Sequence, residues 1–474
     1  MNTEKAIRLY DAITEVREDW VEDALPPEKV RRHPHLRAGA AVAAIIPLVL
    51  LAAFALAHIP GSGTGRPHSA LPTGGGTSAH VPGAAFYLYP GPVLPLTAEG
   101  EHPALTLTRD LDLDLETFYA KDTCAVTDTY TLKNTGETAE TVTLLYPFAA
   151  ELRSGRDALP ALTVEGEAVT PEPVLGPSVP VGADWGDYLA LLERGSYALP
   201  DPTALLAQPV VVYELRDCWG EKSAQAVNPT LSLEYSRDWE KSTVLSWGFN
   251  GSREEAGVSS RSRSVPQPGT PGYGTSAYVL VLGEDIQSPV LRAYTDGGCK
   301  TPLEEAGGTV LRWESTLGEM LALCCRWEPE EQESTLADGL TPEELAAALA
   351  SYALELGLWG EEQPANPFNG MLEDVFYRCM ETRRVLLLPF TVTVPAGGSV
   401  TVTARSLREA AFDPGSVGSG MTPRGFDALS AKAGALPLEG ETVGLRGLKE
   451  ECILGRDLTP GEDKLRYWVE VQRG

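Results

Sequence analysis

The sequence predicts a mainly β protein: a β-sandwich-like ectodomain with a helical insertion, one N-terminal transmembrane helix and a short cytoplasmic amphipathic helix. Three observations lead there. A charge-free apolar run fills residues 38–59, stretches of period-two alternation recur through the rest of the chain, and 47 Gly and 37 Pro punctuate them. The 474-residue length allows several structural units. The reading divides it into a tail (1–37), the membrane helix (38–59), a flexible stalk (60–98), a first β-rich domain (99–180), a second (181–330), a helical insertion (331–385) and a C-terminal β-rich segment (386–474).

In the tail, Leu9, Ile13, Val16 and Trp20 recur in steps of three and four, one apolar stripe on a helix whose other faces are charged. Pro26 and Pro27 end it. A wet stripe of this kind is stabilised by docking, so these four residues are the candidate contact for a cytoplasmic regulatory protein. The structural alternative is a helix lying solvated at an interface, which the acidic face makes less attractive.

Residues 38–59 are long enough, at about 1.5 Å per residue, to cross a hydrocarbon core of about 30 Å. Pro47 bends such a helix without excluding it. Lys29, Arg31, Arg32 and Arg37 precede the run and Arg66 alone follows it in the stalk. That asymmetry places the N-terminus in the cytoplasm, the lipid bilayer around residues 38–59, and the bulk of the chain outside the cell membrane. The Gly, Pro, Ser and Thr that follow cannot bury a core and read as a stalk.

In the body, Cys124, Val126, Tyr130 and Leu132 share one strand face, with Asp128 the polar break in it, and Val142, Leu144 and Tyr146 resume after a turn at Asn134–Glu137. A second pair sets Phe390, Val392 and Val394 against Val400 and Val402 across Pro395–Gly398. Both read as antiparallel hairpins in sandwich layers. Further strands are expected at 104–108, 162–164, 210–214, 243–248, 277–282, 310–314 and 465–471 from their β-branched and aromatic content. Thr341, Pro342 and Glu344 open a helix with Leu345, Leu349, Tyr352 and Leu356 on one stripe, closed by Gly357. Asn366 and Pro367 announce another through Leu372, Val375, Phe376 and Cys379, and Asp184–Glu193 reads as a third. The Ser-rich stretch Ser252–Gly274 reads as a mobile loop, and its Arg261 and Arg263 as incidental charges.

Composition narrows the chemistry. A net charge of −28 repels phosphate backbones, so nucleic acid is not an expected partner. The 6 histidines, His33, His35, His58, His68, His80 and His102, leave the body beyond His102 without an imidazole for nucleophile activation, zinc ligation or general-base work. The 7 cysteines contain no CxxC; disulfides are possible outside the cytoplasm, but most read as small buried hydrophobes. There is no phosphate-cradling glycine loop, so no cofactor and no enzyme of these types is expected. Asp110, Asp112, Asp114 and Glu116 alternate on one strand face and are the candidate metal site, since a divalent cation would relieve their repulsion; a solvated strand face is the other reading. Glu328–Glu333 reads as a solvated loop. Tyr235, Trp239 and Trp247 are core residues or a stacking platform.

The tail MNTEKAIRLYDAITEVREDWVEDAL, followed by an Arg-flanked membrane helix, resembles that of single-pass proteins of Gram-positive bacteria, some of which look like membrane-bound regulators of alternative sigma factors. The stretches TDTYTLKNTGETAETVTLLYPF, AQPVVVYE, WGFNG, VLVLGEDI and FTVTVPAGGSVTVTARS are similar to uncharacterised proteins of that kind with β-rich ectodomains. The resemblance implies topology and a β-rich exterior and carries no catalytic residue. The expected function is therefore non-enzymatic binding or sensing of an envelope glycan or protein. The alternatives are an anti-sigma-like regulator acting through the tail, and a glycan hydrolase with two carboxylates facing each other in an aromatic-lined cleft.

Overall fold

The computed structural model describes residues 89–180, 183–193, 199–255, 257–270, 272–325, 334–359, 370–411 and 424–472. Tail, membrane run and most of the stalk lie outside them. Among the described residues no helix is long and apolar enough to cross a membrane.

Two long apolar-alternating pairs organise the first sandwich, though not as hairpins. Thr123–Asn134 pairs with Ser399–Glu409, while Glu140–Ala150 pairs with Arg384–Val394. Each connection is thus a β-arch that crosses from one sheet to the other, and the two arches stack side by side. The buried side chains then face each other: Tyr130, Leu132, Val400 and Val402 on one sheet meet Leu144, Tyr146, Leu388 and Val392 on the other. Burying each such large apolar side chain contributes about 1.5–3 kcal/mol. Asn134 stitches the arches, its amide nitrogen donating to the Thr138 and Val394 carbonyls at 2.8 and 3.1 Å, its oxygen accepting from Gly136 N at 2.8 Å.

The first of these sheets has six strands in the order 438–446, 105–114, 123–134, 399–409, 161–164, 167–169; the second has four, 97–98, 140–150, 384–394, 174–178. Strands from both ends of the body therefore share sheets. Leu438–Arg446 runs parallel to Leu105–Asp114. A three-stranded sheet, Arg424–Leu429, Arg466–Val471 and Ile453–Asp457, covers the remaining length of the same buried face, where Phe426, Val469 and Val471 meet Leu111, Leu113 and Val126.

A second sandwich packs the sheet 242–247, 277–283, 209–220, 306–316 against 251–255, 258–264, 230–236, 287–294. Its core includes Leu215, Leu231, Leu233, Val244, Val279 and Val281. Val210, Val212, Leu245, Leu280 and Leu282 point the other way, to a helical layer of Leu317–Cys324, Pro342–Glu355 and Leu372–Glu381. The expected capping box is present, Glu344 N donating to Thr341 Oγ1 at 3.2 Å and Thr341 N to Glu344 at 2.7 Å. Gly357 closes that helix at φ +67°. Leu317–Cys324, with its own box at Thr316 and Glu319, is a helix the sequence reading had not singled out.

Ser252–Gly274 is corrected: it contains two paired strands, Gly251–Glu255 and Val258–Ser264, with Arg261 and Arg263 on the buried face. None of the 7 cysteines forms a disulfide; Cys124, Cys324, Cys325, Cys379 and Cys452 are buried.

Candidate functional site

The polar break at Asp128 is the centre of a buried network. Arg109 lies in phase with Leu105, Leu107, Leu111 and Leu113 and shares their burial. Its guanidinium grips the Asp128 carboxylate with two bonds, Nε to Oδ1 at 2.7 Å and Nη2 to Oδ2 at 2.8 Å. Nη1 reaches the Leu429 carbonyl at 2.6 Å and Glu441 at 3.0 Å. Tyr130 donates to Asp128 at 2.6 Å, and Glu441 accepts from Ser430 Oγ, Ala431 N and Tyr467 OH. Burial alone would lower the Arg109 pKa, but Asp128 and Glu441 hold it well above its ordinary value. Burial likewise raises Glu441, and Arg109 with the three donors more than reverses that, leaving it below the usual carboxylate range. This network ties the six-stranded sheet to the three-stranded one.

On the outer face of the three-stranded sheet lies a surface depression lined by Tyr89, Phe426, Asp427, Arg466, Trp468 and Glu470. Pairing sets Gly425 opposite Glu470 and Asp427 opposite Trp468, so Asp427 and Glu470 are diagonal neighbours on one face, roughly 7–8 Å apart in such a ladder. Tyr89 OH and Arg466 Nε both donate to Asp427 Oδ2, at 2.6 and 3.0 Å. Tyr89 is itself positioned by Arg408, whose Nη2 donates to the Gly91 carbonyl at 2.8 Å, and by Arg383, which donates to Pro90 O at 2.9 Å. Gly91 turns there at φ +86°, where a Cβ would overlap the Tyr188 ring. Burial pushes Asp427 above its ordinary value against the pull of Arg466 and Tyr89, and pushes Glu470 up to about 7. Asp427 is thus held by two donors, and burial favours the protonated form of Glu470.

Asp110, Asp112 and Asp114 of the candidate metal site stand on one strand face, away from the core, while Glu116 lies in the turn after the strand ends at Asp114, so the expected face of four is not formed. Thr442 donates to Asp110 at 2.5 Å, and Arg446 spans Asp112 at 2.6 Å and Asp114 at 3.2 Å, so the neighbouring strand supplies their counter-charge. Glu116 donates its N–H to Asp114 at 2.9 Å. Among the described residues no group of three or more His, Cys, Asp or Glu is arranged to hold a metal. Leu9, Ile13, Val16 and Trp20 lie outside the described residues, as does Glu328–Glu333. Of the three aromatics, Tyr235 is buried, Trp247 packs edge-on against Phe376, and Trp239 is 56% exposed. The depression was not foreseen: its parts come from Tyr89, 425–427 and 466–470, and only the charges in RGFDAL and RYWVEV hinted at it.

No protein-family model matches the chain, and neither a curated protein nor a solved structure shows significant similarity to it.

Proposed function

We propose that this chain is a single-pass, membrane-anchored extracytoplasmic protein whose β-rich body binds or senses a component of the cell envelope without catalysing a reaction. The observation that carries the reading is the uncharged run 38–59 with Lys29, Arg31, Arg32 and Arg37 on one side and Arg66 alone on the other. The body adds support. Arg109, Asp128 and Glu441 spend their hydrogen bonds on one another, as struts do, whereas Trp219, Trp239 and Tyr273 present aromatic surface to solvent. On the cytoplasmic side, Leu9, Ile13, Val16 and Trp20 would carry a signal to a regulatory protein. Incubating the full chain with purified envelope glycan and with envelope protein tests the reading: saturable retention of one supports it, and retention of neither overturns it.

Asp427 and Glu470 favour a second reading, a carboxylate-based glycan hydrolase. The two carboxylates stem from diagonal positions on one sheet face, as a pair acting on one bond would need, and burial raises Glu470 to about 7, which favours the protonated form of a general acid. Against it, Asp427 is 7% and Glu470 1% exposed, so a sugar ring would have to displace Tyr89. Release of reducing ends from envelope glycan, lost in Glu470→Gln, would establish hydrolysis; its absence from wild type removes it.

A further inference from the structure

Two arginines converge on residues 90–92. Arg383 Nη1 donates to the Pro90 carbonyl at 2.9 Å, and Arg408 Nη2 reaches the carbonyls of Pro90, Gly91 and Pro92 at 3.3, 2.8 and 3.2 Å. Every Arg408 bond thus runs through one nitrogen and ends on a neutral oxygen. Among the described residues its Nε and Nη1 make no hydrogen bond, and no carboxylate forms an ion pair with it. The acid partner of Arg383 is Glu151, at 3.7 Å, and the other oxygen of that carboxylate accepts from Arg153 at 3.0 Å. Charge-assisted bonds run about 2.7–2.9 Å.

The two guanidinium groups repel each other. Burial and the adjacent Arg383 hold Arg408 below its ordinary value, with the hydroxyls of Tyr188, Tyr146 and Tyr89 pulling the other way. A cation withdrawn from water without a paired anion is costly. Arg408 lines a depression that adjoins the one described above, together with Tyr89, Gly91, Cys124, Glu409 and Asp427. Of the two acids there, Glu409 is exposed, and Asp427 Oδ2 already accepts from Tyr89 at 2.6 Å and from Arg466 at 3.0 Å. Arg408 therefore brings two unused donors to the wall of the depression.

We propose that Arg408 and Arg383 form a binding site for a small oxyanion, the carboxylate or phosphate group of a ligand that enters the depression beside Tyr89. Guanidinium donors match both anions, and Nε and Nη1 of Arg408 are the donors left to make the contact. An anion held there also relieves the repulsion between the two arginines. In a chain of net charge −28, a local pair of cations is what lets an anion approach at all. This inference goes beyond the reading above: it requires neither a bilayer nor an envelope polymer, and its test succeeds or fails independently of both.

The test titrates the full chain at neutral pH with inorganic phosphate and, separately, with acetate, by calorimetry at ionic strength matched with chloride. The expected result is saturable binding of at least one anion, weakened about tenfold or more in Arg408→Gln. Thermal unfolding of each variant is read alongside, and Arg383→Gln, which keeps the Arg408 bonds to residues 90–92, should also weaken binding. Arg292→Gln removes an exposed arginine of the second sandwich, paired with Glu234, and should leave the affinity unchanged. Saturation by phosphate alone identifies a phosphate ester as the ligand group, by acetate alone a carboxylate, and by both an oxyanion of either kind. The proposal is overturned if neither anion saturates, if Arg292→Gln weakens binding as much as Arg408→Gln does, or if binding is unchanged in folded Arg408→Gln or, should that variant not fold, in Arg383→Gln.

Discussion

Asp128→Asn is the sharpest perturbation of the first sandwich. The substitution keeps the shape of the side chain, removes its charge and turns an amide donor toward the N–H groups of Arg109. What is lost is the bidentate grip at 2.7 and 2.8 Å, in a pair whose side chains are both 0% exposed. Arg109 keeps Glu441 at 3.0 Å and the Leu429 carbonyl at 2.6 Å, a weaker set for a buried cation. Removing one partner of such a pair costs about 3–5 kcal/mol. At an m-value of about 3 kcal/mol/M, the urea midpoint should fall by about 1–2 M. Arg109→Met combined with Asp128→Leu replaces the pair by apolar volume, while Glu441 retains Ser430, Ala431 and Tyr467 as donors. That double variant should recover most of the loss, since apolar replacements of buried pairs are often neutral or stabilising. The reasoning fails if Asp128→Asn unfolds within about 0.5 kcal/mol of wild type, or if the double variant is as unstable as the sum of the singles.

Other outcomes follow from the same geometry. Burial raises Glu373 from 4.5 to about 7, so the folded state holds more protons than the unfolded one between those values and stability falls as pH rises through them; Glu373→Gln should remove up to about 3 kcal/mol of that decline, seen by denaturation at pH 4.5 and 8. Glu441 is depressed and acts oppositely: its contribution is present above 4.5 and lost as pH falls through its folded value, so Glu441→Gln should flatten the acid limb of the stability profile. His102 shows a third sign. Burial lowers it, but hydrogen bonds to Glu140 and the Glu99 carbonyl raise it overall, so its contribution is full below 6.5 and disappears as pH rises past its folded value, which His102→Gln should abolish. Asn134→Ala should cost about 1–3 kcal/mol by leaving the two arch carbonyls and Gly136 N without their partner. In a pull-down with the full chain, Trp20→Asp should release any cytoplasmic partner held by the tail stripe; retention of the same partner would show that the stripe does not dock it.

Local periodicity revealed much of this body, and its failures have physical causes. The seven further strand segments all coincide with strands, 104–108, 243–248 and 465–471 each overrunning by one residue, because β-branched and aromatic alternation is a local signal. Hairpin and arch present the same alternation, however. What differs is whether the connection keeps the chain in one sheet or crosses the core, and nothing in Asn134–Glu137 or Pro395–Gly398 discriminates by residue type alone. The strand Val258–Ser264 was hidden for a different reason: VSSRSRS places arginine where the period-two rule expects an apolar residue, so a buried face read as a polar loop. Asp128 was legible as a break in an apolar face; Arg109, the one charge in phase with four leucines, carries the same signal but was not singled out. Their partnership with Glu441 was not, because it joins strands far apart in the chain. The same holds for Arg446, whose contact with Asp112 spans 334 positions and supplies the counter-charge that the acid ladder seemed to demand from a cation.

The placement of the body outside the membrane is tested most directly by a single exposed cysteine. Thr393 faces solvent on the first sandwich, its hydroxyl 2.9 Å from that of Thr141. Thr393→Cys, in a background with the partly exposed Cys218 and Cys299 replaced by Ser, would be treated in intact cells with a membrane-impermeant maleimide, alongside a cysteine in the tail at Thr14. The account predicts that Thr393→Cys is labelled in intact cells and Thr14→Cys only after lysis; the reverse pattern, or labelling of neither before lysis, would contradict it.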